Sequence, residues 1–329
     1  MKKIVVIEGD GIGPEVIRST VRAVQTTGAN VELIEAEMGL DCQRRNGSYL
    51  PQETVDSLEV SDACLFGAIT SSTDPGYRSP LLQLRKQFDL FANVRPLRRI
   101  SPDLGLVDLN LVIFRENTEG MYTGEEVEEG DSIILRRRVS ERAIRRLVRF
   151  SRDYALSDGR KSITCVHKAN VIRRSDGLFR KIFFEEMALS GLEAKEMLVD
   201  ACAAAMVSNP ERLDSIVTLN LYGDILSDEG AALVGGMGLA PSANIGENMA
   251  IFEPVHGSAP DIAGMGIANP VASMLSAVMM LHYLDMDKEA DLLENAISNA
   301  VREGKRTPDI GGDLSTDDFT EEVIQRMNH

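Results

Sequence analysis

The chain has 329 residues, 43% hydrophobic and 26% charged, with a formal net charge of −16. That is the make-up of an ordinary soluble globular protein of about two domains at roughly 150 residues each. So acidic a balance lacks the clustered Lys and Arg that neutralise phosphates, which argues against a nucleic-acid partner.

The first predicted element is the apolar run KIVVIE (3–8), followed by GDGIGPE (9–15) and a helical pattern from Pro14 to Gly28. Gly9 and Gly11 match the first two glycines of a Rossmann fingerprint, but the sixth position is Pro14 and the third glycine comes early, at Gly13. Proline suits the first helical position, so strand, tight turn and helix are expected while the fingerprint fails. A glycine-rich turn without any ligand stays an equal reading at this point.

The β-branched runs VELIEAE (31–37), ACLFGA (63–68), LVIFRE (111–116), SITCVH (162–167), SIVTLN (215–220) and MAIFEP (249–254) alternate with helical patterns at 140–157, 176–191 and 224–236. Such alternation predicts an α/β fold with a largely parallel sheet. From Pro270 to about Arg302 the pattern is helical. No linker divides the chain, so two domains would have to share strands or exchange segments. The stretch TGEEVEEGDSIILRRRVSERAIRRLVRF (123–150) swings from acidic to basic and reads as a hairpin and a solvated helix face, a pattern that a protruding dimer arm shares.

Cys42, Cys64, Cys165 and Cys202 lie far apart with no CxxC pair, so neither a zinc site nor a disulfide framework is expected. Cys64 and Cys165, in apolar runs, read as buried free thiols of a cytoplasmic protein. The short apolar stretch after the N-terminal lysines makes neither a signal peptide nor a membrane span, and no membrane partner is expected.

Four constellations can carry chemistry. Arg85, Arg95 and Arg115 sit at element edges beside apolar sequence; converging, they would give a carboxylate-binding pocket inside an acidic protein. Asp224 and Asp228, four apart, share one helix face, where a divalent cation taking oxygen ligands, Mg²⁺ or Mn²⁺, relieves their repulsion; acids complementing a helix N-terminus are the competing reading. Lys168 and Asn170 follow the run SITCV, at a strand's C-terminal end where ligands gather in open α/β sheets, and a lysine beside cations can serve as a base. His256 to Asn269 is a long turn dense in Gly, Pro, Ala and Asn, able to offer backbone N–H groups to an anionic cofactor, with Asp261 as acceptor for a ribose hydroxyl.

GDGIGPE, LRKQFDLFANVRP, RENTEGMY, HKANV, NLYGDILSD and EPVHGSAPDIAGMGIANP occur in this order. Together, over nearly the whole chain, they resemble the isocitrate/isopropylmalate dehydrogenase family of metal-dependent, NAD(P)-linked decarboxylating dehydrogenases. The resemblance implies a two-domain α/β fold that is not a Rossmann fold. Residues 1–95 and 236–329 would form a large cofactor-binding domain. Residues 96–235 would form a smaller substrate, metal and dimerisation domain with an arm at about 118–140. It also implies a homodimer whose subunits complete each other's active sites. Arg85, Arg95 and Arg115 match the arginines that hold the malate carboxylates, and Tyr122 matches the tyrosine that protonates the enol carbon. Lys168 matches the base supplied by the neighbouring subunit, with Asn170 beside it near the nicotinamide. Asp224, Asp228 and, across the dimer, Asp200 match the metal carboxylates. His256, Gly257, Ser258, Ala259, Asp261, Ile262 and Asn269 fall in the adenosine-binding loop, and Ile12 is expected to touch the nucleotide.

Asp261 would accept from a ribose 2′-OH and repel a 2′-phosphate, so NAD is the expected cofactor. Leu81 and Leu82, with Val171 completing an apolar wall, offer no partner for a third carboxylate, whose unpaired burial costs several kcal/mol. The small carboxylate expected as substrate is therefore 3-isopropylmalate, decarboxylated oxidatively to 2-oxo-4-methylpentanoate in leucine biosynthesis. Arg78 and Ser79 keep homoisocitrate or isocitrate as the alternative.

Overall fold

A computed structural model describes residues 1–74 and 77–328. Its strands are β1 (Lys2–Gly9), β2 (Val31–Ala36), β3 (Ala63–Ala68), β4 (Ala92–Arg98), β5 (Asn110–Glu116), β6 (Glu126–Glu129), β7 (Ser132–Leu135), β8 (Ser162–His167), β9 (Glu193–Leu198), β10 (Ser215–Thr218), β11 (Pro241–Ile245) and β12 (Ala250–Pro254). Its helices are α1 (Gly13–Thr26), α2 (Leu40–Asn46), α3 (Gln52–Glu59), α4 (Pro80–Gln87), α5 (Glu141–Ser157), α6 (Ser175–Met187), α7 (Val199–Ser208), α8 (Asn220–Val234), α9 (Val271–Tyr283), α10 (Asp287–Arg302) and α11 (Thr316–Met327).

Ten strands form one sheet in the order β2-β1-β3-β12-β11-β4-β5-β10-β8-β9. β1, β2, β3 and β12 are mutually parallel, as are β5, β10, β8 and β9. Between these blocks β11 and β4 pair antiparallel to their neighbours, so the two blocks run in opposite directions. This is the expected α/β class, and the strand order is not that of a Rossmann fold. The inner strands ACLFGA and SITCVH are buried along their whole length, as strands covered on both faces must be. A large apolar cluster packs α1, α5, α6, α9, α10 and α11 on the sheet, a second lies under α7 and α8, and a third under α3 and α4. The four cysteines are free and buried, and burial pushes the Cys202 thiol up to about 12. No helix among the described residues is long and apolar enough to cross a membrane.

The opening turn is built for close packing of the chain against itself. Gly9 and Gly11 have φ of +77° and +61°, and a Cβ on either would strike a backbone carbonyl, of Ala68 or of Ser258. Ile12 donates its N–H to the Ser258 carbonyl at 2.8 Å. Asp10, almost fully buried, accepts from the N–H groups of Leu40, Asp41 and Thr70, each at 2.8 Å. GDGIG therefore clamps β3, α2 and the loop after β12, and Pro14 opens α1 as expected.

β6 and β7 form the hairpin expected near residue 130, apart from the main sheet, and every residue of both strands is exposed. Its base is tied down where Gly120 and Arg138 exchange backbone hydrogen bonds.

Candidate active site

β4 and β5 create the arginine pocket. Their register sets Asn93 opposite Arg115, and the two-residue period of a strand puts Arg95 on that same face. Arg85 arrives from the last turn of α4. All three arginines are buried, with 7%, 7% and 1% of Arg85, Arg95 and Arg115 exposed. α8 crosses above them and carries Asp224 and Asp228 on one face. It can approach because residue 223 is glycine, where a Cβ would lie 2.7 Å from the Arg115 side chain. α8 begins at Asn220, so Asp224 sits in its second turn and complementing the helix dipole does not account for it.

The charges are tightly interleaved. Arg115 donates to Asp224 and, at 3.1 and 2.8 Å, to the Asn220 amide oxygen. Arg95 lies 3.5 Å from Asp224 and 3.3 Å from Asp228. The Tyr122 hydroxyl donates to Asp224, and the Arg115 guanidinium lies 5.0 Å from the centre of the Tyr122 ring. Burial works against ionisation of Asp224, but Arg115, the Tyr122 hydroxyl, Arg95 and Arg85 outweigh it and hold the carboxyl below its ordinary range. Asp228 goes the other way: burial, reinforced by Asp224 and only partly offset by Arg95, raises it. Burial and then the bond to Asp224 raise Tyr122, which keeps its proton at neutral pH.

Sequence reasoning did not single out the polar floor that supports these groups. Glu253, near the end of β12, pairs with Arg85 at 3.3 Å and accepts from Asn244 at 2.7 Å. Asn93 donates to Asn244 and accepts from Arg95 at 2.7 Å. The loop after β5 is folded by its own motif: Glu116 accepts from the N–H groups of Thr118 and Glu119, and Asn117 donates to the Leu90 carbonyl and to Asn244. Amide and carboxylate side chains inside otherwise apolar strands, in FANV, SANI and FEP, are the signal that could have found this floor. One donor remains unspent: Arg85 Nε is buried with no partner among the described residues.

Lys168 follows β8, and Asp200 opens α7 directly after β9. The parallel register His167↔Leu198 brings them together, and they form an ion pair that lowers the Asp200 carboxyl. Among the described residues no hydrogen bond or ion pair joins this pair to the arginine cluster. Asn170 and Val171 beside Lys168 are exposed, Val171 by 68%. Leu82 is 37% exposed, while Leu81 packs partly into the third core cluster, so the expected wall of Leu81, Leu82 and Val171 is not enclosed within one chain. Ser79 caps α4, its hydroxyl accepting from the Leu82 N–H at 3.5 Å, and Arg78 is exposed with no ion pair among the described residues.

In the loop after β12 the expected nucleotide residues divide. Gly257 and Asp261 are exposed, and Asp261 has no hydrogen bond or ion pair among the described residues. His256 spends Nδ1 on the Gly257 carbonyl and leaves Nε2 buried without a partner among the described residues. Burial lowers the imidazole pKa, keeping it neutral. Ala259 turns the backbone at φ +35°. The remaining residues have internal work. The Ser258 hydroxyl meets Thr70 at 2.8 Å, Ile262 packs on the core, and Asn269 caps α9 through the Val271 N–H while donating to Asp309. Ile12, directly before α1, is 5% exposed and packs in the main core.

The family model described as isocitrate/isopropylmalate dehydrogenase matches residues 3–323. The chain is 46% identical to a homoisocitrate dehydrogenase of Methanocaldococcus jannaschii, over 98% of this chain and 97% of that protein. It is 43% identical to a 3-isopropylmalate dehydrogenase of Methanothermobacter thermautotrophicus, over 99% and 98%. A crystal structure of isocitrate dehydrogenase from Methylococcus capsulatus superposes with a TM-score of 0.95 at 39% identity, covering 100% of both chains. With the family matched along almost all of its length, this chain belongs to the isocitrate/isopropylmalate dehydrogenases, an enzyme family of decarboxylating dehydrogenases.

Proposed function

We propose that the protein oxidises and decarboxylates a 3-substituted malate with NAD⁺ and a divalent cation, and that the malate is 3-isopropylmalate. The observation that carries this reading is the convergence of the buried Arg95 and Arg115 on Asp224 and Asp228, with the buried Arg85 held by Glu253 and a protonated Tyr122 on Asp224. Once a cation takes up Asp224 and Asp228, only Glu253 balances the three buried guanidiniums, which then call for an anionic ligand, and the unspent Arg85 Nε supplies a donor for one.

The donor set fits a hard cation, since Asp224, Asp228 and Asp200 offer only carboxylate oxygens. When bound there, the cation supplies the Lewis acidity that withdraws charge from the substrate's oxygens. The buried His256 Nε2, without a partner among the described residues, and the exposed backbone around Gly257 fit a nucleotide; when bound, its nicotinamide takes up hydride. The protein's own groups do the remaining work. Arg85, Arg95 and Arg115 hold and orient the malate carboxylates. Lys168 accepts the hydroxyl proton at Nζ, and Tyr122 returns a proton from its hydroxyl to the carbon that loses CO₂. Asp261 favours NAD by accepting from a ribose hydroxyl.

In this reading Lys168 and Asp200 serve the site of a second copy, which accounts for their separation from the arginines within one chain. The hairpin supports that assembly: Val127, Ile133, Ile134 and Leu135 are 38–69% exposed on two strands that are marginally stable alone. A homodimer buries them and carries Val171 towards Leu82 of the other copy.

The leucines of α4 favour isopropylmalate. One observation favours a second reading, homoisocitrate or isocitrate: Arg78 stands at the start of α4 with its charge unpaired among the described residues. Arg78→Ala separates them. Under the first reading kcat/KM for isopropylmalate changes by less than about threefold. Under the second, the tricarboxylate is the better substrate of the wild type and loses about 100-fold or more in the variant, the loss of a charge-assisted hydrogen bond of roughly 3 kcal/mol.

A further inference from the structure

We infer that Asp176, whose carboxylate meets Lys168 through that residue's backbone N–H and not through its ammonium, is the positioning residue that sets Lys168 and links it to the base of the hairpin. The inference rests on the reading of Lys168 as the proton acceptor.

Asp176 is the second residue of α6 and is completely buried. Its carboxylate receives three donors from three separate parts of the chain. The Lys168 backbone N–H reaches Oδ2 at 2.7 Å, the Tyr222 hydroxyl reaches the same oxygen at 3.2 Å, and the Arg137 guanidinium reaches Oδ1 at 2.6 Å. Arg137 lies two residues past β7, next to the Arg138 that pairs with Gly120, and it stacks 5.4 Å from the centre of the Tyr222 ring. Tyr222 lies two residues before Asp224 on α8. One buried anion thus meets the lysine loop, the exit strand of the hairpin and the helix that carries the aspartates.

The chain after β8 has few other constraints. The Lys168 carbonyl accepts the N–H groups of Val171 and Ile172, closing a tight turn, and the Ala169 N–H goes to His167. The Asp176 N–H donates to the Ile172 carbonyl at 3.2 Å and the Lys168 ammonium pairs with Asp200; the bond from the Lys168 N–H to Asp176 is the one that fixes the backbone of Lys168 itself. A hairpin seated on a second copy fixes Arg137, Arg137 fixes the Asp176 carboxylate, and the carboxylate fixes the direction in which Lys168 leaves the strand.

Two double variants test this without leaving an unpaired buried charge. In Asp176→Ala with Arg137→Leu both charges and the acceptor for the Lys168 N–H are gone. In Asp176→Asn with Arg137→Leu the charges are gone but an acceptor remains. The first is expected to lose kcat by on the order of 10²-fold, with KM for the malate changed less than about twofold, since the loss is one of orientation. The second is expected to recover most of that loss. Labelling of Lys168 by trinitrobenzenesulfonate, mapped on its peptide, is expected to change rate in the first variant and return to the wild-type rate in the second. If the alanine pair does not fold, Asp176→Leu with Arg137→Leu, which likewise offers no acceptor, replaces it. Equal kcat and equal Lys168 labelling in the two double variants would overturn the inference. The labelling contrast stands even if the wild type turns over no 3-substituted malate, so that outcome would sink the functional reading and leave this one to be decided by labelling alone.

Discussion

Replacing Gly11 by alanine tests the role given to the opening turn. The backbone there has φ +61°, and an added Cβ would lie 2.8 Å from the Ser258 carbonyl carbon, with the carbonyl oxygen nearer still. Ordinary carbon–carbon contact is about 3.5 Å or more, so the Ser258 segment has to retreat by at least roughly 0.7 Å. The left-handed backbone costs an alanine about 1–2 kcal/mol and overpacking about 1–3 more, giving a loss of about 2–5 kcal/mol. The chain can relieve part of this by moving the loop that starts at His256, because the bond from the Ile12 N–H to Ser258 is the tie that would break. The melting temperature should therefore fall and KM for NAD⁺ should rise about tenfold, equivalent to 1.4 kcal/mol, while KM for the malate stays near wild type. A variant with a lowered melting temperature and an unchanged KM for NAD⁺ would refute the link between GDGIG and the nucleotide loop.

Three further perturbations address other parts of the molecule. Glu253→Gln removes the buried partner of Arg85 and should cost about 3 kcal/mol; bound malate restores an anion to that arginine, so the deficit in thermal melts should shrink at saturating substrate, and an equal deficit with and without substrate would contradict the placement of Arg85. Asp228→Asn should weaken Mn²⁺ binding, read by titration, by at least the roughly 10–100-fold lost on removing a residue that only hydrogen-bonds to a metal ligand, and unchanged affinity would remove Asp228 from the cation site. Glu186, held down to about 2 by Arg149 and, beside it, Arg145, joins α5 to α6. A depressed carboxyl stabilises the fold above its unfolded value near 4.3 and loses that contribution as the pH falls towards about 2, so the stability gap between wild type and Glu186→Gln should narrow as the pH is lowered from about 5 to about 3; a constant gap would mean the clamp contributes nothing electrostatic.

The alternation of apolar runs and helical periods made the α/β class and the inner strands β1, β3, β5, β8, β10 and β12 legible, because strands buried on both faces are continuous in sequence. Three strands of the main sheet were not readable that way. β4 carries Asn93, Arg95 and Pro96 among its apolar residues, β11 is PSANI, and β9, EAKEML, is a partly exposed edge strand; in each, polar side chains serve either the site or the solvent. The arginines, Tyr122 and the acidic pair of α8 stood out because they sit in dense motifs. Glu253, Asn93 and Asn244 did not, because their importance lies in a cross-strand register that single-chain spacing does not contain. The same is true of Lys168 meeting Asp200 and of Asp176 gathering its three donors.

The central claim is most directly tested by incubating the protein with NAD⁺ and Mn²⁺ and measuring NADH and CO₂ together for 3-isopropylmalate, homoisocitrate, isocitrate and malate. The account predicts equal amounts of NADH and CO₂, abolished by EDTA and restored by Mn²⁺, with 3-isopropylmalate turned over best. NADH released without CO₂, or no turnover of any 3-substituted malate, would contradict it.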